Sequence, residues 1–250
     1  FTNLSRAGKT AAGRAREFHD FGEFTRPYKA RTAGGKAEMR KLVAVLALFC
    51  LSQAVRAEGE RAGQFDYYVL SLSWSAAWCA LEGDARDDPQ CDRGRGLTFV
   101  LHGLWPQYED GWPSYCRTGA RDPGRAETAA MADVMGGAGQ AFHQWKKHGR
   151  CSGLAAGDYY RVARQAFESV AVPKLFTRMD RPLTLPAAVI EAAFLEANPA
   201  LSPDSITITC KAGLIQEARI CLTPKLEPRA CGPDVARDCR LPDAVLEPVR

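Results

Sequence analysis

Aromatic and β-branched residues that partly alternate with polar ones mark the strand-like stretches of the chain. Residues 65–74 and 96–105 predict two buried strands, the second of which carries His102 near its end. Residues 205–226 alternate on both sides of a short Lys-Ala-Gly turn and therefore predict a β-hairpin.

Three other stretches have the composition or the spacing of helices, namely residues 125–135, 158–171 and 186–198. In the last of them Pro186 suits the first helical turn. Because strands and helices are interspersed without a regular β–α–β order, the pattern favours the α+β class. We predict a single domain with a central, mainly antiparallel sheet, flanking helices and disulfide staples.

The N-terminal region has a different pattern, which is typical of an exported protein. From Met39 the sequence runs through two basic residues and an apolar stretch, residues 42–51, to a small-residue cleavage site at residues 55–57. The apolar stretch is too short to span a bilayer, so no membrane anchor is expected. We expect residues 1–38 to be an upstream or disordered leader, residues 39–57 a signal peptide and residues 58–250 a secreted or periplasmic domain.

Removal of that region changes the charge of the protein. The whole chain has a formal net charge of +4. Residues 1–57 hold eleven Lys or Arg and four Asp or Glu, which leaves 22 basic and 25 acidic residues and a net charge of −3 for residues 58–250. General basicity is thus excluded as a cause of nucleic-acid binding, and any such contact must rest on a few cations at one site.

Eight of the nine cysteines lie after the predicted cleavage site. An even number in an exported chain predicts disulfides, although the number alone leaves their pairing open. No two cysteines have the two-residue spacing of a zinc knuckle or a redox dithiol, so metal or exchange chemistry is the poorer interpretation.

Three of the four histidines fall in residues 58–250, and all three belong to two short motifs, "LHGLWPQ" at 101–107 and "FHQWKKHGRC" at 142–151. If the second motif is a helix ended by Gly149, then His143, Gln144, Lys147 and His148 share an arc of about 140°. Such a face is often only solvated. Since histidine has an unperturbed pKa near neutrality and none is left elsewhere, we interpret the two motifs as a proton-transfer site.

A metal site is the chemical alternative. His143 and His148 are five residues apart, whereas zinc-binding histidines on a helix favour a spacing of four. Lys147 between them would repel a cation, so neither a metal nor another cofactor is expected. Two imidazoles with a lysine instead suit phosphoryl transfer, in which one ring takes a proton and the other gives one. RNA is the expected substrate because its own 2′-hydroxyl can attack the phosphorus.

The two motifs resemble the active-site segments of the ribonuclease T2 family, secreted endoribonucleases that usually carry HGLWP and HEWxKHGTC. They occur in the family's order, about 40 residues apart, and the likeness extends over nearly all of residues 58–250. The resemblance implies a metal-independent endoribonuclease, a monomer without a membrane anchor, that cuts single-stranded RNA through a 2′,3′-cyclic phosphate to 3′-phosphate ends.

Individual roles are implied by position in the motifs. His102 resembles the family's proton donor and His148 its proton acceptor, while His143 and Lys147 resemble groups that bind the phosphate and stabilise the transition state. Trp105 resembles an aromatic residue of the base site, to which Tyr115 contributes. The family's cysteine pattern implies the pairs Cys79–Cys91, Cys116–Cys151, Cys210–Cys239 and Cys221–Cys231.

Two positions depart from the family motif. Gln144 replaces a catalytic glutamate and keeps its reach but not its charge. Arg150 replaces a threonine and is expected to add positive charge beside the site. We expect a slower enzyme in which Gln144→Glu raises kcat, because a carboxylate would stabilise the imidazolium forms. The alternative is an RNA-binding or signalling protein on the same scaffold with weak or no turnover.

Overall fold

The computed structural model describes residues 60–250, so the predicted leader (residues 1–38) and signal peptide (residues 39–57) lie outside the described residues. No helix between residues 60 and 250 combines the length and the apolar character needed to cross a bilayer.

A six-stranded sheet forms the centre of the described domain. Its strands are β1 (Tyr67–Trp74), β2 (Phe99–Gln107), β3 (Leu183–Leu185), β4 (Ile206–Lys211), β5 (Leu214–Leu222) and β6 (Ala244–Leu246). They are ordered β2-β1-β5-β6-β3, and β4 also pairs with β5. All pairings are antiparallel except the short parallel contact between β5 and β6. The predicted α+β class is therefore confirmed.

Six α-helices surround the sheet: α1 (Ser75–Trp78), α2 (Arg125–Ala129), α3 (Ala132–Met135), α4 (Ala138–Lys147), α5 (Ala156–Glu168) and α6 (Ala187–Ala197). The predicted strands, the hairpin and the helices represented by α5 and α6 are all present. The predicted helix at 125–135 is instead broken at Ala130 and Met131 into α2 and α3. The three-residue strands β3 and β6 were not predicted, since so short a stretch shows no periodicity.

The two faces of β1 explain where the core and the cleft lie. Tyr68, Leu70, Leu72 and Trp74 point to the main hydrophobic core. Alternation places the intervening residues on the opposite face, where Val69 and Ser73 line two adjoining cavities. One side of the central strand thus supports the domain, and the other forms the floor of a cleft.

Within residues 60–250, four disulfides are present: Cys79–Cys91, Cys116–Cys151, Cys210–Cys239 and Cys221–Cys231. These are the pairs that the resemblance implied. Cys116–Cys151 closes 35 residues and ties the loop after β2 to the turn that follows α4. The two histidine motifs are therefore linked covalently as well as by packing.

Candidate active site

A β-bulge on β2 turns His102 toward the cleft. Ser71 of β1 pairs with Gly103 and Leu72 pairs with Leu101, so His102 is the extra residue between them. The extra residue shifts the alternation of the strand, and both Leu101 and Leu104 can face the main core. His102 and Trp105 then share the cleft side, where both line one cavity. Bulges commonly re-aim a side chain in this way next to functional sites.

Helix α4 supplies the other half of the site. His143, Gln144, Lys147 and the residue after the helix, His148, line the same cavity of about 260 Å³ as His102. His143, Lys147 and His102 also line a second cavity of about 820 Å³. The shared polar arc expected from the helical spacing is therefore present, and it faces the cleft rather than open solvent.

Asp122 holds the opposite side of the α4 end. Its carboxylate accepts hydrogen bonds from the Trp145 indole at 2.9 Å and from Arg150 at 2.6 Å, and it pairs with Lys146 at 3.2 Å. The hydrogen bond from Arg150 is the main reason that the pKa of Asp122 falls to about 2. Arg150 is thus paired with Asp122 and lines neither cavity, so it does not place its charge in the site as expected.

The Gly149 turn also differs from the prediction. Helix α4 ends at Lys147, but Gly149 opens a short 3₁₀ turn and does not have the left-handed conformation of a helix C′ residue. Glycine is required here by close packing. A Cβ atom would lie 2.7 Å from the Trp145 ring and 2.8 Å from the ring of Tyr159.

Trp105 fills the space between the two proton-transfer candidates. Its ring stacks on His148 and stands edge-on to His102, with a centroid distance of 5.1 Å in each case. The guanidinium of Arg219 lies 5.5 Å from the Trp105 ring centroid. Trp105 therefore sets the relative position of the two imidazoles, a contact that its predicted role at the base site did not include.

The buried side chain of Gln144 is fixed by the same indole. The Trp105 N–H donates to Gln144 Oε1 at 2.7 Å, which leaves the amide nitrogen of Gln144 as the donor toward the cavity. A Cβ on Gly103 would collide with both groups. Gly103 thus makes room for these two side chains.

Glu217 of β5 is the carboxylate in contact with His102. Its Oε1 lies 2.6 Å from His102 Nδ1, and its Oε2 accepts two hydrogen bonds from Arg219 at 2.8 and 2.7 Å. Burial by itself raises the pKa of Glu217, but His102 and Arg219 outweigh burial and bring the pKa below its usual value. An ionised Glu217 must accept the hydrogen bond, so Nδ1 of His102 carries the proton and Nε2 is left for the cleft.

His148 has the opposite environment. Its side chain is buried, and Nδ1 has no hydrogen-bond partner within residues 60–250. Burial first, and then the positive charge of Lys147, lower the pKa of His148 to about 3. Burial and Lys147 also lower the pKa of the more exposed His143. One imidazole thus has an anionic partner while the other is kept neutral, an asymmetry that separates an acid from a base.

Two aromatic residues after β2, the predicted Tyr115 and the unpredicted Trp112, differ in position. Tyr115 is 51% exposed and lines neither cavity, although its backbone N–H donates to the carbonyl of Lys147. Trp112, which sequence reasoning missed, is 56% exposed and lines the smaller cavity. Trp112 therefore presents a partly exposed aromatic ring at the edge of the smaller cavity.

Comparison with known proteins identifies the family. Residues 65–231 match the model of the ribonuclease T2 family. The chain belongs to the ribonuclease T2 family. A ribonuclease of Aeromonas hydrophila is 44% identical over 128 residues, which are 50% of this chain and 56% of that protein. A ribonuclease-like storage protein of Panax ginseng is 32% identical over 126 residues, 42% of this chain and 48% of that protein.

This T2-family chain thus spans about half the length of the curated relatives it matches. Its fold has a solved counterpart in an RNase-related protein from Calystegia sepium, with a TM-score of 0.59 and 19% identity. That likeness covers 74% of this chain and 98% of the other. At this identity it shows the fold.

Sequence reasoning also missed Glu217 and Arg219. The contact of Glu217 with His102 joins residues 115 positions apart, which no local motif can reveal. The available signal was the presence of two charged residues, two positions apart, in a strand whose other residues are apolar except for Gln216. In this T2-family chain, Glu217 and Arg219 put charge on the cleft face of β5.

Proposed function

We propose that the protein is an endoribonuclease that cuts single-stranded RNA without a metal ion, with His148 as the general base and His102 as the general acid. The observation that carries the proposal is the meeting of His102, His148 and Lys147 in one cavity, with a carboxylate on the first imidazole and none on the second. RNA suits this set because its 2′-hydroxyl is a nucleophile already attached to the substrate.

In the first step, His148 takes the proton of the 2′-hydroxyl while the 2′-oxygen bonds to phosphorus. The bond from phosphorus to the 5′-oxygen breaks, and Nε2–H of His102 donates its proton to that leaving oxygen. The products are a 2′,3′-cyclic phosphate and a free 5′-hydroxyl. Water then opens the cyclic phosphate to a 3′-phosphate, with the two histidines in exchanged roles.

Positive charge and donors around the phosphate support the same reaction. Lys147 forms no ion pair within residues 60–250, and its ammonium group lines both cavities. It can therefore offset charge on the phosphate oxygens, together with His143 and the Gln144 amide. Trp112 offers an aromatic surface on which a base can stack.

The test is digestion of single-stranded RNA and DNA by the purified protein in excess EDTA. We expect RNA to be cut to cyclic phosphate and then 3′-phosphate ends, and DNA to stay intact. His102→Gln and His148→Gln should each lower kcat by about 10²- to 10⁴-fold. Loss of wild-type activity on chelation, restored by zinc, would contradict the mechanism.

A second candidate is an RNA-binding or signalling protein with negligible turnover. It is favoured by Gln144 in place of the family glutamate and by the storage-protein name of the ginseng relative. Under this hypothesis the wild type binds RNA in a filter assay as tightly as His148→Gln does and leaves it intact.

A further inference from the structure

We propose that Glu217 is the positioning residue of the acid catalyst, holding His102 in one tautomer and supplying the negative charge that Gln144 lacks. This inference rests on the proposed function and extends it to a residue outside both histidine motifs. Glu217 acts through His102 and does not contact the substrate.

Small side chains on β1 make the contact possible. Strand β1 lies between β2 and β5, so His102 and Glu217 are on strands that do not pair with each other. Ser73 is the β1 partner of Glu217, and Ser71 is the partner of Arg219. Because serine side chains are short, Glu217 can extend over the central strand to reach the imidazole.

A second irregularity aims Glu217 at the cleft. Between β4 and β5 the register shifts, so that Thr209 pairs with Glu217 and Cys210 pairs with Ile215, and Gln216 is the extra residue. Ile215 and Ala218 consequently both face the main core. Glu217 and Arg219 occupy the cleft face, as His102 and Trp105 do across the sheet.

The burial and bonding of Glu217 suit a fixed anion. The side chain is 2% exposed, and each carboxylate oxygen has a charged or ionisable partner. If Glu217 accepted hydrogen bonds from Arg219 only, the two residues would form an ion pair with a structural role alone. Its second oxygen lies 2.6 Å from Nδ1 of His102, whose Nε2 is left for the cleft, and this contact couples the ion pair to the site.

Other acidic groups do not fill this place. Glu82, Asp88 and Asp234 also line the cavities, but none of them bonds to a histidine in residues 60–250. The charged and titratable groups around His102 are Glu217 and Arg219 from β5, His143, Lys147 and His148 from the α4 segment, Asp234 at the smaller cavity, and Glu82, Arg86 and Asp88 across the larger cavity. On the α4 side the ring therefore meets the cation of Lys147 and two imidazoles with lowered pKa values, and Glu217 opposes that cation.

Two consequences distinguish positioning from structural support. Glu217 fixes the Nδ1–H tautomer, so that the proton given to the leaving oxygen comes from Nε2. Its charge also stabilises the imidazolium that must be present before the proton is donated. Loss of the charge therefore moves the alkaline limb of the pH–rate profile to lower pH, because the acid must stay protonated there. The acidic limb, which is governed by the base, stays in place.

The variants are Glu217→Gln, which keeps the shape and loses the charge, and Glu217→Asp, which keeps the charge on a shorter side chain. Glu109→Gln is the matched control, since it removes a carboxylate that likewise accepts two hydrogen bonds from an arginine, Arg229, but at an exposed position away from the histidines. We expect Glu217→Gln to lower kcat/KM about 10- to 100-fold and to move the alkaline limb down by about one pH unit or more. Glu217→Asp should keep the position of that limb, and Glu109→Gln should resemble the wild type.

A readout without turnover completes the test. The His102 ring resonance, assigned by comparison with His102→Gln, should titrate at lower pH in Glu217→Gln than in the wild type, while the His143 resonance moves little. An unchanged His102 midpoint in a folded Glu217→Gln protein would overturn the inference even if RNA is cut. Failure of the wild type to cut RNA would instead refute the proposed function.

Discussion

Gln144 is the side chain whose interpretation changes most between the sequence and the structure. From the motif it is a glutamate that has lost its charge. In the folded protein it is buried, its oxygen accepts from Trp105, and its nitrogen faces the cavity where the phosphate would bind. A neutral donor at that place favours an anionic transition state, whereas a carboxylate would repel it.

On this geometry we expect Gln144→Glu to lower kcat by about tenfold, the equivalent of about 1.4 kcal/mol. This is opposite to the gain expected from the motif alone. Gln140→Glu is the control, because it adds the same charge one turn earlier on α4, at the wall of the larger cavity. Full pH–rate profiles of both variants are the measurement. A higher kcat for Gln144→Glu would show that the glutamine is a handicap.

Trp112 and Tyr115 provide a second comparison between single side chains. Both are about half exposed and lie in the loop after β2, but only Trp112 lines the smaller cavity. We expect Trp112→Ala to raise KM for RNA by the factor that corresponds to a loss of about 1 to 3 kcal/mol of binding free energy. This is the contribution of one base stacked on an aromatic ring. Tyr115→Ala should have a smaller effect. If Tyr115→Ala raised KM more, the base would bind where the motif comparison put it.

Which parts of the site the sequence predicts depends on how far apart along the chain the contacting residues lie. His143, Gln144, Lys147 and His148 were found together because helical spacing is local information. His102 was found because histidines are scarce. Glu217 was not, since the strand order is needed to place β5 across β1 from β2, and the bulge that aims His102 has no mark in the sequence.

Among the helices and strands, agreement was best where a pattern was long. The hairpin of β4 and β5 was predicted because its alternation continues over both strands, and α5 and α6 because their apolar spacing repeats for three turns. The stretch at 125–135 has helical composition, yet the turn at Ala130 and Met131 divides it. Composition carries no information on such a break, which is set by tertiary packing.

The Cys116–Cys151 disulfide acts at this level, because it fixes the end of α4 against the loop after β2. The carbonyl of Lys147 accepts from the Tyr115 N–H at 2.8 Å, next to the disulfide. Replacing both cysteines by serine should destabilise the domain by about 3 to 4 kcal/mol, as expected for a loop of 35 residues. It should also lower kcat, because the spacing of the histidine motifs is loosened.

The matched control is the double serine variant of Cys210 and Cys239, whose loop of 29 residues predicts nearly the same loss of stability. This disulfide joins β4 to the chain before β6 and does not touch the histidine motifs. Urea unfolding and RNA cleavage should be measured on both variants below their unfolding transitions. Equal losses of kcat in the two would show that the first disulfide has no special effect on the site.

The folded domain as one unit carries a cost for keeping His148 neutral. His148 is buried with a pKa lowered to about 3, whereas the ring has a pKa near 6.5 in the unfolded chain. Between these values the unfolded state binds the proton and the folded state does not. Stability from this group is therefore complete above about pH 6.5 and is lost as the pH falls toward 3.

We expect the unfolding free energy of the wild type to decrease by up to about 4 kcal/mol over that interval on account of His148. His148→Gln should remove most of this dependence, because glutamine does not titrate and has a similar volume. His143→Gln should retain it, since His143 is exposed and its pKa is lowered less. Urea unfolding of the three proteins at intervals from pH 7 to 4 gives the slopes. A slope for His148→Gln as steep as that of the wild type would mean that folding does not lower the pKa of His148.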